Sequence, residues 1–412
     1  MAKALGEAGV AYVQVEATGD VGGNWAHGVY ETAHIISSRL TTQYDDFPMP
    51  ADWPDFPSGQ QMHAYLRSYA EHFHLGDRIR FHAEVQQVSP TPEGRWAVRF
   101  ADRTEHYRGV VVCNGHHWAK VYPRWTHAFA GEVLHSKDYK RPEQLTGKRV
   151  LVLGGGNSGC DLVSEAARVG AAADWSLRRG YWFLPKTFFG APSVELMKPW
   201  LPLVVQKSVV KMLLRVVVGD YQDYGLPAPD HDLFEAHPSI STEVFHYLKH
   251  GRIRPRPDVE RVEGRTVHFV DGSTAEYDTI ALGTGFDVSF PFLAPGVVPV
   301  IGKVPQLYAG MLRPEHRHLW VMGSFQARYG IGPLLRPLGL LLADWVKLQD
   351  ELNVPLGELL RRMGDRPPTT HLVDPHAARR RMALGRRLVP VLRWRAARLG
   401  LLQRPSGVEL AP

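Results

Sequence analysis

The stretch GKRVLVLGGGNSGCDLVSEAARVGAAADWSLRRG, residues 147–180, has the pattern of a strand, a glycine-rich turn and a helix. The apolar run 149–153 is typical of a buried parallel strand, 160–169 of a helix, and 174–177 of a second strand. The glycines of the turn have G-x-G-x-x-G spacing, which permits close approach of a pyrophosphate and close packing of helix on strand. The sequence therefore predicts a dinucleotide site, formed by Gly154, Gly156, Asn157, Ser158 and Gly159.

The end of the second strand indicates which nucleotide binds. Sites for NAD place an acidic residue there to bind the ribose 2′-hydroxyl, whereas sites for NADP place arginine there to bind the 2′-phosphate. This chain has Ser176, Arg178 and Arg179 in that region and no acid. Arginine is always charged, and its planar set of donors suits a phosphate. The sequence therefore predicts NADPH, with a basic loop exposed to solvent as the alternative.

Length and composition bound the class of protein. The chain has 412 residues, enough for two or three domains, and 44% hydrophobic and 22% charged residues, as in ordinary globular proteins. Its two cysteines, Cys113 and Cys160, exclude a disulfide framework and a CxxC redox pair. No apolar segment of a secretory signal follows Met1, and the apolar stretch 201–218 contains basic residues that disfavour a membrane span. We therefore expect a cytoplasmic protein.

A second motif lies shortly before the glycine-rich turn. The segment FAGEVLHSKDY, residues 129–139, has the spacing F-x-G-x-x-x-H-x-x-x-Y. This motif, followed by a dinucleotide turn, resembles the fingerprint of the flavin-containing monooxygenases; the related Baeyer–Villiger monooxygenases usually carry Trp in place of the Tyr. The fingerprint residues are Phe129, Gly131, His135 and Tyr139. GGNW at 22–25, DFPMP at 46–50, CNGHHW at 113–118 and LGTGF at 282–286 also match, and the resemblance extends from residue 1 to about 345.

The resemblance implies an α/β fold with two Rossmann-like dinucleotide-binding domains and a C-terminal helical segment, in which an inserted NADPH domain interrupts the FAD domain. Strand patterns at 108–115 and 277–285 flank the central unit, and 264–278 predicts a hairpin that turns at Asp271-Gly272. The expected domains are 1–145 for the first part of the FAD domain, 146–276 for the NADPH domain, 277–345 for the second part of the FAD domain, and 346–412 for a basic helical tail.

The resemblance also implies an FAD site that begins in the first residues. A short helix at 2–8 and a strand at 10–15 that ends on Glu16 have the pattern of the second half of a dinucleotide-binding unit. In the family, a G-x-G-x-x-G loop for the FAD pyrophosphate precedes such a helix, and residues 1–9 contain none. We expect a start codon that is set too late, with a degraded gene copy as the alternative. The residues assigned to FAD are Glu16, Gly22, Gly23, Asn24, Trp25, Gly115, Gly283 and Gly285.

The cofactors that the resemblance implies, FAD and NADPH, determine the expected chemistry. NADPH reduces the flavin, O₂ adds to it as a C4a-hydroperoxide, and the distal oxygen passes to a soft nucleophile, without a catalytic triad or a metal. The candidate catalytic residues are His135, Ser37 and Ser38. His135 is expected to order the loop between the cofactors rather than to act as a general base. The family usually has an Asn upstream of DFP, where this chain has the two serines; their hydroxyls can donate hydrogen bonds, and a simple loop is the alternative.

The expected function is an NADPH- and FAD-dependent monooxygenase that acts with O₂ on nitrogen or sulfur of small lipophilic molecules. Baeyer–Villiger oxygenation of ketones, and a remnant that binds NADP(H) without FAD, are the alternatives. The basic stretches 206–219 and 376–402 predict amphipathic helices that pack on the protein, cover a substrate tunnel or lie peripherally on an anionic membrane. Neither matches a nucleic-acid-binding fold, so no nucleic acid is expected. The pairs His116-His117 and His371-His376 are expected in packing or at the surface rather than at a metal.

Overall fold

A five-stranded parallel sheet, which we call the nucleotide sheet, lies at the centre of the molecule. The computed structural model describes residues 1–198 and 200–403. The strands of the nucleotide sheet, in spatial order, are Ile253–Arg256, Ala172–Ser176, Arg149–Leu153, Thr279–Leu282 and Glu132–His135. Leu153 is in register with Ser176 on one side and with Leu282 on the other. The strand before the glycine-rich turn is therefore the middle strand.

Both faces of the nucleotide sheet are buried. Alternate side chains of a strand point to opposite faces. Val150 and Val152 accordingly join one hydrophobic cluster with the helix Asn157–Val169, whereas Leu151 and Leu153 join another cluster on the opposite face. A parallel sheet requires this double cover, which explains why its middle strand is a continuous apolar run. The predicted α/β class with a Rossmann-like core is confirmed.

An antiparallel meander supplies the second face. Its strands are Val259–Glu263, Thr266–Phe269 and Thr274–Glu276. Thr266 pairs with Glu276, and the connection turns at Gly272, whose φ is +81°. The hairpin predicted at 264–278 is confirmed, because an Asp-Gly pair suits a turn that needs a positive φ.

Two strands of the nucleotide sheet lie outside the domain bounds expected from the sequence. Glu132–His135 was expected within 1–145 and Thr279–Leu282 within 277–345, both as parts of the FAD domain. Instead, Thr279–Leu282 pairs with Arg149–Leu153 and with Glu132–His135. Every residue of Thr279–Leu282 is buried, so this strand needs neighbours on both edges and both faces. The expected bounds at 145 and 277 therefore divide one sheet and are wrong there.

The flavin side of the chain contains short parallel pairs instead of one continuous sheet. Gln14–Val15 pairs with Ile79–Arg80, and Val110–Val112 pairs with Leu319–Val321. Val15 and Val112 belong to the same hydrophobic cluster. Within residues 1–198 and 200–403, no strand joins the two pairs. The strand predicted at 10–15 is therefore limited to its last two residues, because it has a partner on one edge only.

The remaining elements frame these sheets. The α-helices are Ala2–Glu7, Arg39–Thr42, Gly59–His72, Asn157–Val169, Leu203–Val217, Glu243–Lys249, Gly332–Glu351, Leu356–Arg362, Pro375–Arg387 and Val389–Arg398. A second meander comprises Gln87–Pro90, Trp96–Arg99 and Thr104–Tyr107. Two-residue pairs join Phe183–Leu184 with Ser239–Ile240, Thr187–Phe188 with Ala191–Pro192, Ala119–Lys120 with Phe286–Asp287, Val300–Ile301 with Val304–Pro305, and Gln326–Ala327 with Leu372–Val373.

The helical tail expected at 346–412 is present as far as the structure describes the chain; residues 404–412 lie outside the described residues. The long helix Gly332–Glu351 continues across the expected boundary at 345 and packs against Pro375–Arg387. Among the described helices, none is long and apolar enough to cross a bilayer.

Candidate active site

The glycine-rich turn after the strand Arg149–Leu153 is closely packed. A Cβ on Gly159 would overlap the carbonyl oxygen of Gly154, and one on Gly283 would lie 2.6 Å from the Cα of Gly159. By contrast, nothing lies within 4 Å of a Cβ on Gly156, whose φ is −74°. Close packing therefore requires glycine at 159 in the turn and at 283 in the segment that packs on it. Gly156 leaves open space at the N-terminus of the helix, and this space fits a dinucleotide phosphate.

We expect alanine substitutions in this turn to separate folding from nucleotide binding. Gly159→Ala forces the backbone at Gly154 to move, and overpacking of this kind lowers the free energy of unfolding by about 1–3 kcal/mol. Gly156→Ala meets no protein atom but places a methyl group where the pyrophosphate approaches the backbone. Thermal unfolding should show a lower melting temperature for Gly159→Ala alone, and NADPH titration should show weaker binding for Gly156→Ala. An unchanged NADPH affinity of Gly156→Ala would contradict the site.

The two arginines after the second strand are exposed beside this turn. The guanidinium of Arg179 lies 5.1 Å from the centroid of the Tyr181 ring, and a Cβ on Gly155 would lie 2.5 Å from that ring. Tyr181 therefore keeps Arg179 close to the turn. No carboxylate of the described residues lies within 4 Å of either Arg178 or Arg179. Both guanidinium groups are available to an anionic ligand.

Two other predicted nucleotide ligands face the protein interior. Ser176 is buried, and its hydroxyl donates to the carbonyl oxygen of Pro257 at 2.7 Å. The prediction that Ser176 contacts the nucleotide is wrong, because its hydroxyl is already used inside the protein. The side-chain oxygen of Asn157 accepts from the backbone N–H of Ile240 at 2.7 Å and so fixes the start of the helix. Ser158 lies half-buried in the same helical turn.

Three of the fingerprint residues are packing residues. A Cβ on Gly131 would lie 2.6 Å from the carbonyl oxygen of Asp278 and 2.6 Å from the ring of Phe129. Tyr139 is fully buried, and its hydroxyl donates to a carboxylate oxygen of Glu165 at 3.3 Å. Burial raises the pKa of Tyr139 to about 12, so the phenol remains protonated. These residues anchor the strand Glu132–His135 to the helix Asn157–Val169, which we call the nucleotide helix.

His135, the fourth fingerprint residue, connects the two cofactor segments. Its Nδ1 accepts from the backbone N–H of Lys137 at 3.1 Å, and its Nε2 lies 3.1 Å from the carbonyl oxygen of Gly285. With Nδ1 as acceptor, Nε2 carries the proton and donates it. Burial lowers the pKa of His135, which keeps the imidazole neutral. Both ring nitrogens are occupied by backbone groups, so this geometry suits ordering of the loop and leaves no nitrogen for a general base.

The two candidate catalytic serines form local structure. Ser38 is 1% exposed and is the N-cap of the helix Arg39–Thr42, where its hydroxyl accepts from the backbone N–H of Thr41 at 3.3 Å. The hydroxyls of Ser37 and Thr42 are 2.6 Å apart. The prediction that Ser38 donates to substrate or oxygen is wrong, because its side chain is buried and its hydroxyl lies against Thr41 as the cap of the helix. Ser37 is half-buried and paired within the same turn.

The segment assigned to the flavin lies next to the fingerprint. Nζ of Lys137 donates to the side-chain oxygen of Asn24 at 2.5 Å, and Nζ of Lys140 donates to the backbone oxygen of His27 at 3.2 Å. Burial, and then the charge of Lys140, lower the pKa of Lys137. The sequence did not point to Lys137, although it lies inside the fingerprint. Gly22 and Gly23 precede this turn, and Trp25 packs half-buried against the cluster that contains Met62.

Glu16 stands at the end of the strand Gln14–Val15. One carboxylate oxygen, Oε1, accepts from the backbone N–H and from the hydroxyl of Thr18, both at 2.9 Å. Its backbone N–H donates to the carbonyl oxygen of Arg80 at 3.0 Å. The second carboxylate oxygen has no protein donor among the described residues. The position fits the acid that binds an adenosine ribose.

A cavity of about 400 Å³ opens at the carboxyl ends of Val110–Val112 and Leu319–Val321, a size usual for ligand cavities. Its lining includes Met1, Ala4, Cys113, Gly115, Gly323 and Gly339. Gly115, one of the residues assigned to FAD, is therefore at a ligand-sized cavity. Gly283 is not among the lining residues and packs on Gly159 of the glycine-rich turn; its assignment to FAD stays a prediction. Gly285 instead binds His135.

Sequence reasoning missed a group of histidines beside the fingerprint. The ring of His117 lies 4.3 Å from that of His116 and 5.5 Å from that of Phe286, which in turn lies 5.1 Å from His135. His117 is exposed to solvent on one side, and His116, Phe286 and other protein groups surround the rest of its ring; we call this region the cleft at His117. Burial first, and then the charges of His116, Lys137, His237 and His371, lower its pKa to about 4. These rings are therefore neutral at pH 7. His371 belongs to this group, whereas His376 contacts Tyr329 instead.

A second missed contact joins the flavin side to the nucleotide helix. The hydroxyl of Tyr30 donates to the carboxylate of Asp161 at 2.5 Å, and Lys186 contacts His34. Burial raises the pKa of both Tyr30 and Asp161. No sequence motif signals this pair, because its members are more than a hundred residues apart and owe their roles to tertiary packing.

Comparison with known proteins agrees with this geometry. Flavin-containing monooxygenase 5 of Homo sapiens is 30% identical over 80% of this chain and 67% of its own length. Dimethylaniline monooxygenase [N-oxide-forming] 2 of Macaca mulatta is 28% identical over 80% of this chain and 67% of its own length. A closed crystal structure of cyclohexanone monooxygenase shares the fold, with a TM-score of 0.73 at 14% identity over 98% of this chain and 96% of that chain.

A family model described as flavin-binding monooxygenase-like matches residues 4–345, which is most of the chain. FAD and NADPH, the cofactors predicted from the sequence, are those of this family. Its members are flavin-dependent oxidoreductases. The chain therefore belongs to the flavin-binding monooxygenase-like family.

Proposed function

We propose that this monooxygenase uses NADPH and transfers one oxygen atom of O₂ to nitrogen or sulfur atoms of small lipophilic molecules. The observation that carries the proposal is the meeting of three strand ends, since Leu153, Leu282 and His135 are in register at the carboxyl edge of the nucleotide sheet. Ligands of parallel sheets bind at that edge. A nucleotide bound on the glycine-rich turn would face the segment 283–286 and the cleft at His117.

The residues at this edge have separate tasks. Bound FAD, once reduced by NADPH, supplies the activation of O₂. His135 holds Gly285 through a neutral imidazole, and Lys137 holds Asn24. Phe286 and the neutral ring of His117 add no charge to the cleft, so that a neutral amine or sulfide passes them at a lower desolvation cost than an ion. Exclusion of water and alignment of the reactants are therefore the contributions of the protein.

The experiment is to follow NADPH oxidation by the FAD-loaded protein with and without substrate. A tertiary amine or a thioether should accelerate NADPH oxidation and yield the N-oxide or S-oxide in proportion to the NADPH consumed. Gly156→Ala is the matched control, because it blocks the nucleotide turn without touching the substrate cleft. Conversion of a cyclic ketone to a lactone, with the thioether untouched, would replace the proposal by Baeyer–Villiger oxygenation. Binding of NADPH without any retained flavin, in a version that carries an apolar strand and a G-x-G-x-x-G loop before residue 1, would replace it by a nucleotide-binding remnant.

We propose that the domains follow the sheets. The nucleotide domain comprises about 132–282, the flavin part comprises the residues before 132 and those from 283 to 345, and 346–412 forms the tail. The two domains meet at His135–Gly285 and at Tyr30–Asp161. Each contact pairs one side chain with a group of the other domain, which supports this division.

We propose that the protein works in the cytoplasm and contacts membranes peripherally. The basic stretches 206–219 and 376–402 lie largely in the helices Leu203–Val217, Pro375–Arg387 and Val389–Arg398. Each leaves apolar side chains exposed, among them Val204, Met212, Leu384 and Trp394. Exposed apolar residues beside basic ones are typical of interfacial helices.

A further inference from the structure

The helices Pro375–Arg387 and Val389–Arg398 form one basic unit, which we call the arginine helices. Leu388 joins them in a helical conformation, with φ −82° and ψ −4°. Residues 375–398 contain eight arginines and no Asp or Glu. Such a charge density needs partners, either within the protein or outside it.

Three of the eight arginines face the body of the protein. Arg379, Arg386 and Arg393, seven residues apart, bind carboxylates of Asp45, Asp344 and Glu351 at 3.1, 2.7 and 2.5 Å respectively. The buried residues Ala378, Leu392 and Ala396 lie on the same side. A seven-residue spacing keeps side chains on one stripe of a helix. The inner side of the arginine helices is thus both packed and neutralised.

The opposite side, which we call the outer face, combines free charge with apolar surface. Its basic members are Arg380, Arg381, Arg387, Arg395 and Arg398, all of them exposed and none within 4 Å of a carboxylate of the described residues. Its apolar members are Leu384, Leu388, Val391 and Trp394, which are 37–54% exposed. Arg398 lies over the Trp394 ring, 4.8 Å from its centroid. Five uncompensated charges and four large apolar side chains therefore share one surface.

We propose that the outer face docks on an anionic lipid bilayer, with Leu384, Leu388, Val391 and Trp394 in the headgroup–acyl boundary and the arginines on lipid phosphates. The charges complement an anionic surface, and the apolar members gain from leaving water only if the partner has an apolar layer. A second copy of the chain that docked through the same face would bring two basic faces together and be repelled. The helix Leu203–Val217 carries less free charge, because Lys207 and Lys211 are both bound to Asp232 and Arg215 alone remains exposed without a carboxylate of the described residues within 4 Å. The proposal narrows the proposed membrane contact to one face and is independent of the oxygen transfer.

The test is flotation of the full chain with vesicles of phosphatidylcholine alone or with about one third phosphatidylserine. The triple variant Arg387→Gln, Arg395→Gln, Arg398→Gln should bind the anionic vesicles about tenfold more weakly or worse, since each arginine near an anionic surface contributes. The matched control Arg103→Gln, Arg261→Gln, Arg265→Gln removes the same charge from exposed positions outside the outer face and should bind within about twofold of the unmodified chain.

A second variant, Leu384→Gln with Val391→Gln, keeps every charge and should also lose binding. Melting temperatures report whether each variant is folded. If a variant is not folded, the salt dependence of vesicle binding by the unmodified chain is measured in its place. This binding to anionic vesicles should fall steeply between about 0.05 and 0.5 M salt. Equal binding to neutral and anionic vesicles, or none to either, overturns the proposal. Normal binding of the Leu384→Gln, Val391→Gln variant to anionic vesicles also overturns it. So does a preference of the unmodified chain for single-stranded RNA over vesicles, since the partner would then be a polyanion without an apolar layer. NADPH binding, measured in the same samples without vesicles, should be unchanged and reports separately on the nucleotide site of the proposed function.

Discussion

Replacement of Arg178 and Arg179 together by alanine is expected to weaken NADPH binding about a hundredfold and to leave NADH binding within about twofold. Hydrogen bonds to charged groups contribute roughly 1.5–3 kcal/mol each, and exposure of both side chains places them at the lower end of that range. Two such contacts to the 2′-phosphate therefore amount to about 3 kcal/mol, or two decades in affinity. NADH lacks this phosphate, so the double substitution removes no such contact from it.

Titration of both nucleotides against the unmodified chain and the double variant measures the difference. The control is Arg361→Ala with Arg362→Ala, which removes the same charge from an adjacent exposed pair in the helix Leu356–Arg362, where both arginines are bound to Glu358 of the same helix. The advantage of NADPH over NADH should also shrink as salt rises, because exposed charges are screened. Equal affinities of the unmodified chain for NADPH and NADH would exclude the phosphate-binding role of the two arginines.

Elements with local sequence signals could be predicted well. The strand Arg149–Leu153, its glycine turn and the hairpin at Gly272 each depend on neighbours in sequence, such as an apolar run or an Asp-Gly pair. Strand membership depends on distant partners instead. Nothing within residues 279–282 indicates that this strand joins the nucleotide sheet beside Glu132–His135, since its apolar pattern suits any buried parallel strand.

The same distinction applies to the site residues. The open space at Gly156 and the exposed pair of arginines follow from the turn itself, so the sequence alone was sufficient to predict these site residues. The prediction for Ser38 fails because a serine before a short helix serves as an N-cap, and the four-residue helix Arg39–Thr42 has no periodic pattern in the sequence that would indicate a helix. The lowered pKa of His117 depends on residues from four separate segments, which only the folded chain brings together.

FAD retention is the second large effect. We expect the chain of residues 1–412 to purify with little FAD. A version preceded by an apolar strand and a G-x-G-x-x-G loop should purify yellow, with FAD close to one per chain. The reason for this expected difference in FAD retention lies in the two short strand pairs of the flavin side. Gln14–Val15 and Val110–Val112 each have a partner on one edge only among the described residues, and their side chains share one hydrophobic cluster. An added parallel strand between them would complete a sheet whose carboxyl edge faces the 400 Å³ cavity.

The glycine loop and the added strand make different contributions, and a third version separates them. With the loop changed to G-x-A-x-x-G, the strand can still complete the sheet and raise the melting temperature, but the added methyl group prevents close approach of the FAD pyrophosphate. Several charge-assisted contacts of roughly 1.5–3 kcal/mol each are then lost, so this version should be more stable than residues 1–412 and equally pale. Flavin absorbance per chain and thermal unfolding measure the two contributions independently. Stoichiometric FAD in the unextended chain would mean that Glu16 and the cavity at Gly115 bind the flavin without a phosphate cradle, and the sheet argument would fail.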